Sequence, residues 1–174
     1  HIKPAVFNLG DSIWSLDDAQ VTYNVADTML TVSGFNLYTS SQHLRANGVA
    51  SVHQEDSIWV DLKQLDLSYF LQLVDIQKTI EIDGDVTGWA TVYGLFSTPI
   101  FEANVEVPDV RLNDVSLGHL KAMATLDRET NHILIAGDAV GEDRVVAHID
   151  GTVKPELKYW ELLIDVDSAN LSFI

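Results

Sequence analysis

Apolar and polar residues alternate along much of this chain. From Ser57 to Lys63, Ile58, Val60 and Leu62 fall on one side, and Trp59, Asp61 and Lys63 fall on the other. Successive side chains of a strand point to opposite faces, so a period of two predicts a strand with one buried face. Thr79 to Tyr93 reads the same way, with Ile80, Ile82, Val86, Ala90 and Val92 on one side. From Ile100 to Val107, Ala103, Val105 and Val107 oppose Glu102, Asn104 and Glu106. Arg144 to Val153 and Glu161 to Asp167 complete the set.

Polar clusters separate these runs. They are Ala26-Asp27-Thr28, Ser40-Ser41-Gln42, Gln54-Glu55-Asp56, Ser97-Thr98-Pro99, Arg128-Glu129-Thr130, Gly141-Glu142-Asp143 and Lys154-Pro155-Glu156. Turn signals spaced by about 10 to 15 residues predict antiparallel hairpins in series. Asn47-Gly48, Asp83-Gly84 and Asp150-Gly151 are dipeptides that favour tight hairpin turns. Each already lies between better turn clusters, so these glycines are placed inside long strands, at bulges or bends. One segment departs from the period of two. Leu67, Phe70, Leu71 and Val74 are spaced as one face of a helix, which predicts a short amphipathic helix over Ser68 to Gln77, with a buried strand as the alternative.

The chain also resembles itself at a shift of about 103 residues. Thr28 to Gly34 matches Asn131 to Gly137, and Arg45 to Val49 resembles His148 to Thr152. Ile58 to Leu62 matches Leu162 to Val166, and Leu67 to Phe70 matches Leu171 to Ile174. The matches keep their order and their intervening turns. They divide one continuous β-rich segment, 1–174, into two tandem strand units, about 1–78 and 79–174. Stacked repeats favour an elongated sheet over a closed barrel. The expected fold class is therefore all-β: an elongated, curved antiparallel sheet with an apolar interior face and one short helix. Leu30, Val32, Ile58, Val60, Leu62, Ile133, Ile135, Leu162 and Ile164 are expected to share that face, together with Ile80, Ile82, Val86, Val92, Val105 and Val107.

Composition narrows the function classes. The chain of 174 residues carries a formal charge of −16 with its acids scattered, which predicts solvated strand faces and loops. No basic stripe is present to neutralise phosphates, so nucleic acid is not expected as a partner. Docking on an anionic membrane surface is disfavoured for the same reason. Cysteine is absent, which removes disulfides and thiolate metal sites. The six histidines, His1, His43, His53, His119, His132 and His148, show no metal-ligand spacing. Asp83-Gly84-Asp85 resembles part of a calcium loop whose remaining oxygen ligands are missing. Asp17-Asp18 has no identifiable acid–base partner, and no nucleophile or phosphate-binding motif appears. The expectation is a protein that is not an enzyme and needs no cofactor or metal. Trp14, Trp59, Trp89 and Trp160 read as sheet packing, with a sugar-binding platform as the alternative use.

Gly84 to Gly94, and then Thr98 to Val107, resemble the recurrent signature of the TamB/AsmA-like family. The shared pattern is Gly-x-Val-x-Gly, an alternating strand, a glycine, a short turn ending in proline, and another alternating strand. Leu65 to Phe70, following an alternating strand, is also similar to that family, and the tone of the sequence is nearest its Bacteroidetes-type members. The resemblance covers most of the chain. It implies a long periplasm-spanning protein, anchored in the inner membrane by a segment this chain lacks. It also implies a β-sheet curled lengthwise into an apolar-lined trough. Members are implicated in outer-membrane biogenesis with an Omp85-type barrel partner, and in moving phospholipid between membranes.

On this reading the chain is an excised segment. Its second copy stops at Ile174, where the first runs on into Leu71. Open sheet edges left by excision would pair the fragment into a dimer. The competing expectations are a secreted β-sandwich that binds glycans or proteins through Trp and Tyr, and a closed sandwich acting as a spacer. A trough leaves its apolar face accessible to an acyl-chain ligand, whereas a sandwich covers it with a second sheet.

Overall fold

A computed structural model of the chain describes residues 1–9, 12–67, 81–97, 99–113, 115–141, 145–154 and 159–166. The proposed helix over Ser68 to Gln77, and Ile80, lie outside the described residues. Among the described residues, thirteen strands form one open antiparallel sheet. They are β1 (Ala5–Leu9), β2 (Ser12–Leu16), β3 (Gln20–Asn24), β4 (Met29–Tyr38), β5 (His43–Ala50), β6 (Ser57–Asp66), β7 (Ile82–Asp83), β8 (Asp85–Tyr93), β9 (Ile100–Leu112), β10 (Val115–Asp127), β11 (His132–Val140), β12 (Val145–Lys154) and β13 (Tyr159–Val166). Hydrogen-bonded neighbours follow chain order, β1-β2-β4-β5-β6-β8-β9-β10-β11-β12-β13. Only β3, on β4, and β7, on β9, lie off this path. Hairpins in series are thus observed, as the spacing of turn signals predicts.

The chain divides into two compact units, His1–Leu65 with Thr87–Ala103, and Asp66–Val86 with Asn104–Ile174. In the first unit, β4 pairs with β5 by Leu30↔Ala50 and Val32↔Gly48, and β5 with β6 by Gly48↔Ile58. In the second, β11 pairs with β12 by Ile133↔Val153 and Ile135↔Gly151, and β12 with β13 by Gly151↔Leu162. The flanking ladder repeats too: Gln20↔Ser33 corresponds to Met123↔Ala136. Three ladders therefore share one register at the shift of about 103 residues seen in the sequence.

Turn chemistry fixes that register. The β3–β4 hairpin closes at Asn24↔Met29, and the β10–β11 hairpin at Asp127↔His132. Each loop has four residues whose last is left-handed, Thr28 at φ 47° and Asn131 at φ 58°. Asn tolerates that region because its short amide bonds locally, whereas a β-branched Thr there is strained. The Asx side chain before each loop accepts an amide two residues on, as Asx turns do. Asn24 Oδ1 takes the Ala26 N–H at 3.0 Å, and Asp127 Oδ1 takes the Glu129 N–H at 2.9 Å.

The copies differ at one bulge. In β4 the register slips between Val32 and Phe35. There Gly34, at φ 71°, donates its N–H to Asn47 Oδ1 at 2.7 Å. Gly137, in the corresponding place, pairs without a slip with Ala122 and Ile149. The long glycine dipeptides behave as the turn spacing predicts: Asn47-Gly48 lies within β5 and Asp150-Gly151 within β12. Thr79 to Tyr93 is not a single strand. Gly84, at φ 147°, separates β7 from β8, and a Cβ there would meet Val107 Cγ1 at 2.4 Å. The close approach of β9 requires a residue without a side chain at that bend.

In the first unit, a hydrogen-bonded bracket joins the β5–β6 turn to the segment after β8. Ser51 is buried and donates its hydroxyl to Asp56 Oδ2 at 2.6 Å. Gly94 and Phe96 then donate their amides to the carbonyls of Asp56 and Ser51. Phe96 is brought to 5.9 Å from the Tyr23 ring, centroid to centroid.

Candidate functional site

Residues directly opposite in a ladder share a face of the sheet, so the registers assign side chains to faces. In the first unit, Leu30 and Val32 lie across from Ala50 and Gly48, and Ile58, Val60 and Leu62 lie across from Gly48, Ala46 and Leu44. Val21 and Tyr23 join from β3, and Phe35 and Leu37 from β4 beyond the bulge. Leu16 lies across from Leu37, and Phe7 across from Trp14. Among the described residues, the β1–β6 ladders therefore place no charged side chain on this face.

The second unit repeats the arrangement. Ile133 and Ile135 lie across from Leu126 and Ala124 on β10, and from Val153 and Gly151 on β12. Leu162 and Ile164 lie across from Gly151 and Ile149. Leu120, Ala139 and Ala147 extend the same face and are buried. Among the described residues that the β10–β13 ladders place on this face, none is ionisable.

The remaining sequence-predicted residues fall on β7, β8 and β9. Val86 and Val107 are buried, Val92 and Val105 are half-buried, and Ile82 is half-buried across from Leu112. Most of the named face is half-buried: Leu30, Val32, Ile58, Val60, Ile133, Ile135, Leu162 and Ile164 all remain partly accessible. Leu62, 8% exposed, is the most enclosed of the sequence-predicted residues that these ladders place on the face. Sequence reasoning missed the contributions of β1, β2, β3 and β10. Trp14, 2% exposed, is the largest of these. The signal for β10 was weak because alanines, and not bulky apolar residues, alternate along it.

The opposite face carries the charged groups, several of them paired, interspersed with exposed apolar side chains such as Val6, Ile13, Met123, Leu134 and Leu163. His43 Nε2 lies 2.6 Å from Asp61 Oδ2, half-buried, and His148 Nδ1 lies 2.6 Å from Asp138 Oδ1, exposed. Lys121 Nζ and His119 Nε2 flank Glu106 at 3.4 and 3.3 Å. Asn36 donates its amide to Asp17 Oδ2 at 2.5 Å. Trp59 and Trp89 are each about two-fifths exposed; Trp59 points away from the apolar face of the first unit, because its partner Asn47 does.

Other chemistry is sparse. Among the described residues no group of three or more His, Asp or Glu side chains is arranged to hold a metal ion. Asp127 is more acidic than a free carboxyl. The Thr130 hydroxyl and the Glu129 amide hydrogen-bond its carboxylate and hold it below the usual carboxylate range. An open hollow of about 440 Å³ is lined, among the described residues, by Ser12, Ile13, Thr39, Ser40, Ser41 and Gln42, none of them ionisable. No helix among the described residues is long and apolar enough to cross a membrane.

Compared with known proteins, the chain matches no family model, no curated protein and no solved structure.

Proposed function

We propose that the charge-free apolar face shields acyl chains from water, and that the chain is a segment of a TamB-like periplasmic protein of outer-membrane biogenesis. The observation that carries the first part is the two-sidedness of each unit. Every side chain that the registers assign to one face is uncharged, and most of those apolar side chains remain partly accessible. Such a surface takes up hydrocarbon at about 0.8 kcal/mol per buried methylene. It offers shape and few hydrogen-bond donors, so selectivity among chains is slight. The second part rests on the ordered motifs from Gly84 to Val107, and with it go the inner-membrane anchor and the Omp85-type barrel partner. No catalysis is involved. The test is mass spectrometry of lipid carried by natively purified protein. Bound phospholipid is expected, and Val60→Asp or Ile164→Asp should abolish it, because an unpaired carboxylate among apolar groups is strongly disfavoured. Repeated absence of lipid, with negative binding assays, would sink the proposal.

A second reading has its own observation. The exposed indoles of Trp59 and Trp89 suit the stacking surfaces of a glycan-binding module. Glycan binding lost in Trp59→Ala, with lipid uptake absent, would favour it.

A further inference from the structure

Resting on the acyl-chain reading, we infer that the apolar face selects lipids by head-group charge, taking uncharged or zwitterionic lipids and rejecting anionic ones.

The placement of four of the ten basic residues, those in the described ladders of the two units, carries the argument. Arg45 and Lys63 lie on the polar side of the first unit, since Arg45 pairs with Asp61 and Lys63 with His43. Lys121 and Lys154 lie on the polar side of the second, across from Asp138 and Tyr159. Lys121 is engaged by Glu106, and Lys154 stands over the Tyr159 ring at 5.3 Å. An anionic head group held near the apolar face therefore meets no lysine or arginine from these ladders.

The whole chain adds repulsion, with 26 acidic residues against 10 basic ones. At low ionic strength that field reaches well beyond the head group, and at high salt it is screened within a few ångströms. A zwitterionic head group carries no net charge and escapes it. The same field disfavours covering the face with a second copy of this chain, because each copy carries a formal charge of −16.

The test uses short-chain phosphatidylcholine and phosphatidylglycerol of equal acyl length, below their micelle concentrations, with binding followed by calorimetry. At low salt phosphatidylcholine is expected to bind about fivefold or more tightly than phosphatidylglycerol, with the gap closing at high salt. Asp150→Asn combined with Glu161→Gln, on the polar side and with the fold checked by circular dichroism, should narrow the preference by weakening the negative field. Equal or tighter phosphatidylglycerol binding at low salt, with phosphatidylcholine also bound, overturns the inference and leaves the acyl-chain reading intact. If neither lipid binds, or if a stable dimer forms and excludes both, the acyl-chain reading itself falls.

Discussion

Asn24 and Asp127 cap two versions of one turn: each accepts the amide two residues ahead of it, and each precedes a loop that ends in a left-handed residue. One is neutral and the other ionisable, so the pair contains its own control.

The first prediction follows from that difference. Hydrogen bonding to the charged form holds the Asp127 carboxyl below its unfolded value. Its contribution to stability is therefore present above the ordinary carboxylate range and is lost as pH falls through the lowered folded value. Asp127→Asn should keep the turn, as Asn24 does, but flatten this part of the stability–pH curve. Asp127→Ala should lose the turn at every pH. Thermal unfolding of the three proteins from neutral to strongly acidic pH checks both statements, and identical curves for wild type and Asp127→Asn would contradict the first.

Gly48 and Gly151 occupy corresponding places in β5 and β12, yet their substitution should differ in cost. At Gly48 the backbone has φ 135°, and a Cβ would meet the Ser57 carbonyl oxygen at 2.1 Å. At Gly151 the nearest contact is a movable Leu162 Cδ1 at 3.1 Å. Gly48→Ala should destabilise by about 1–3 kcal/mol through backbone strain, with Gly151→Ala costing clearly less. Urea denaturation of both variants is the measurement.

The two His–Asp pairs should also separate. His43 and Asp61 are 16% and 30% exposed, whereas His148 and Asp138 are 55% and 56% exposed at the same distance. Exposed pairs typically couple by about 0.2–1 kcal/mol, and enclosure strengthens a pair by removing competing water. A double-mutant cycle should find the larger coupling at His43–Asp61. Equal couplings would show that enclosure does not set their strength.

Leu62, at 8% exposure, and Leu163, at 64%, test the face assignment. Leu62→Ala should cost about 2–4 kcal/mol, whereas Leu163→Ala should lie within about 0.5 kcal/mol of wild type. Chemical denaturation of each variant decides it.

Much of this architecture is readable from residues alone. Ile58, Val60 and Leu62 alternate with polar neighbours because β6 has one wet face, and the period of two records that directly. The glycines of Asn47-Gly48 and Asp150-Gly151 were placed inside strands by the better turn clusters around them. β10 escaped the pattern for a physical reason. Its apolar-face residues Ala122 and Ala124 are small, while Met123, on the other side, is 58% exposed. The contrast between its faces is therefore low. The turn spacing anticipates a bulge or bend at Gly84 but not a full break of the strand there, since the break answers to Val107, far along the chain, and no local pattern encodes that approach. The face itself was half legible. Alternation supplies its β6 and β13 members, but Phe7, Trp14 and Phe35 join only through cross-strand pairing and the bulge at Gly34.

The sheet order, in which spatial neighbours are nearly always sequence neighbours, has a consequence for how this molecule forms and comes apart. Most of the hairpins, such as β3–β4 and β10–β11, close only a short loop, so little chain entropy is lost before their hydrogen bonds form. Strands can add one after another as the polypeptide emerges, without waiting for a distant segment to complete the ladder. The order also gives the ladder a mechanical direction. Tension applied through β13 would peel Tyr159–Val166 from β12 bond by bond, leaving the pairing of β10 with β11 to yield later.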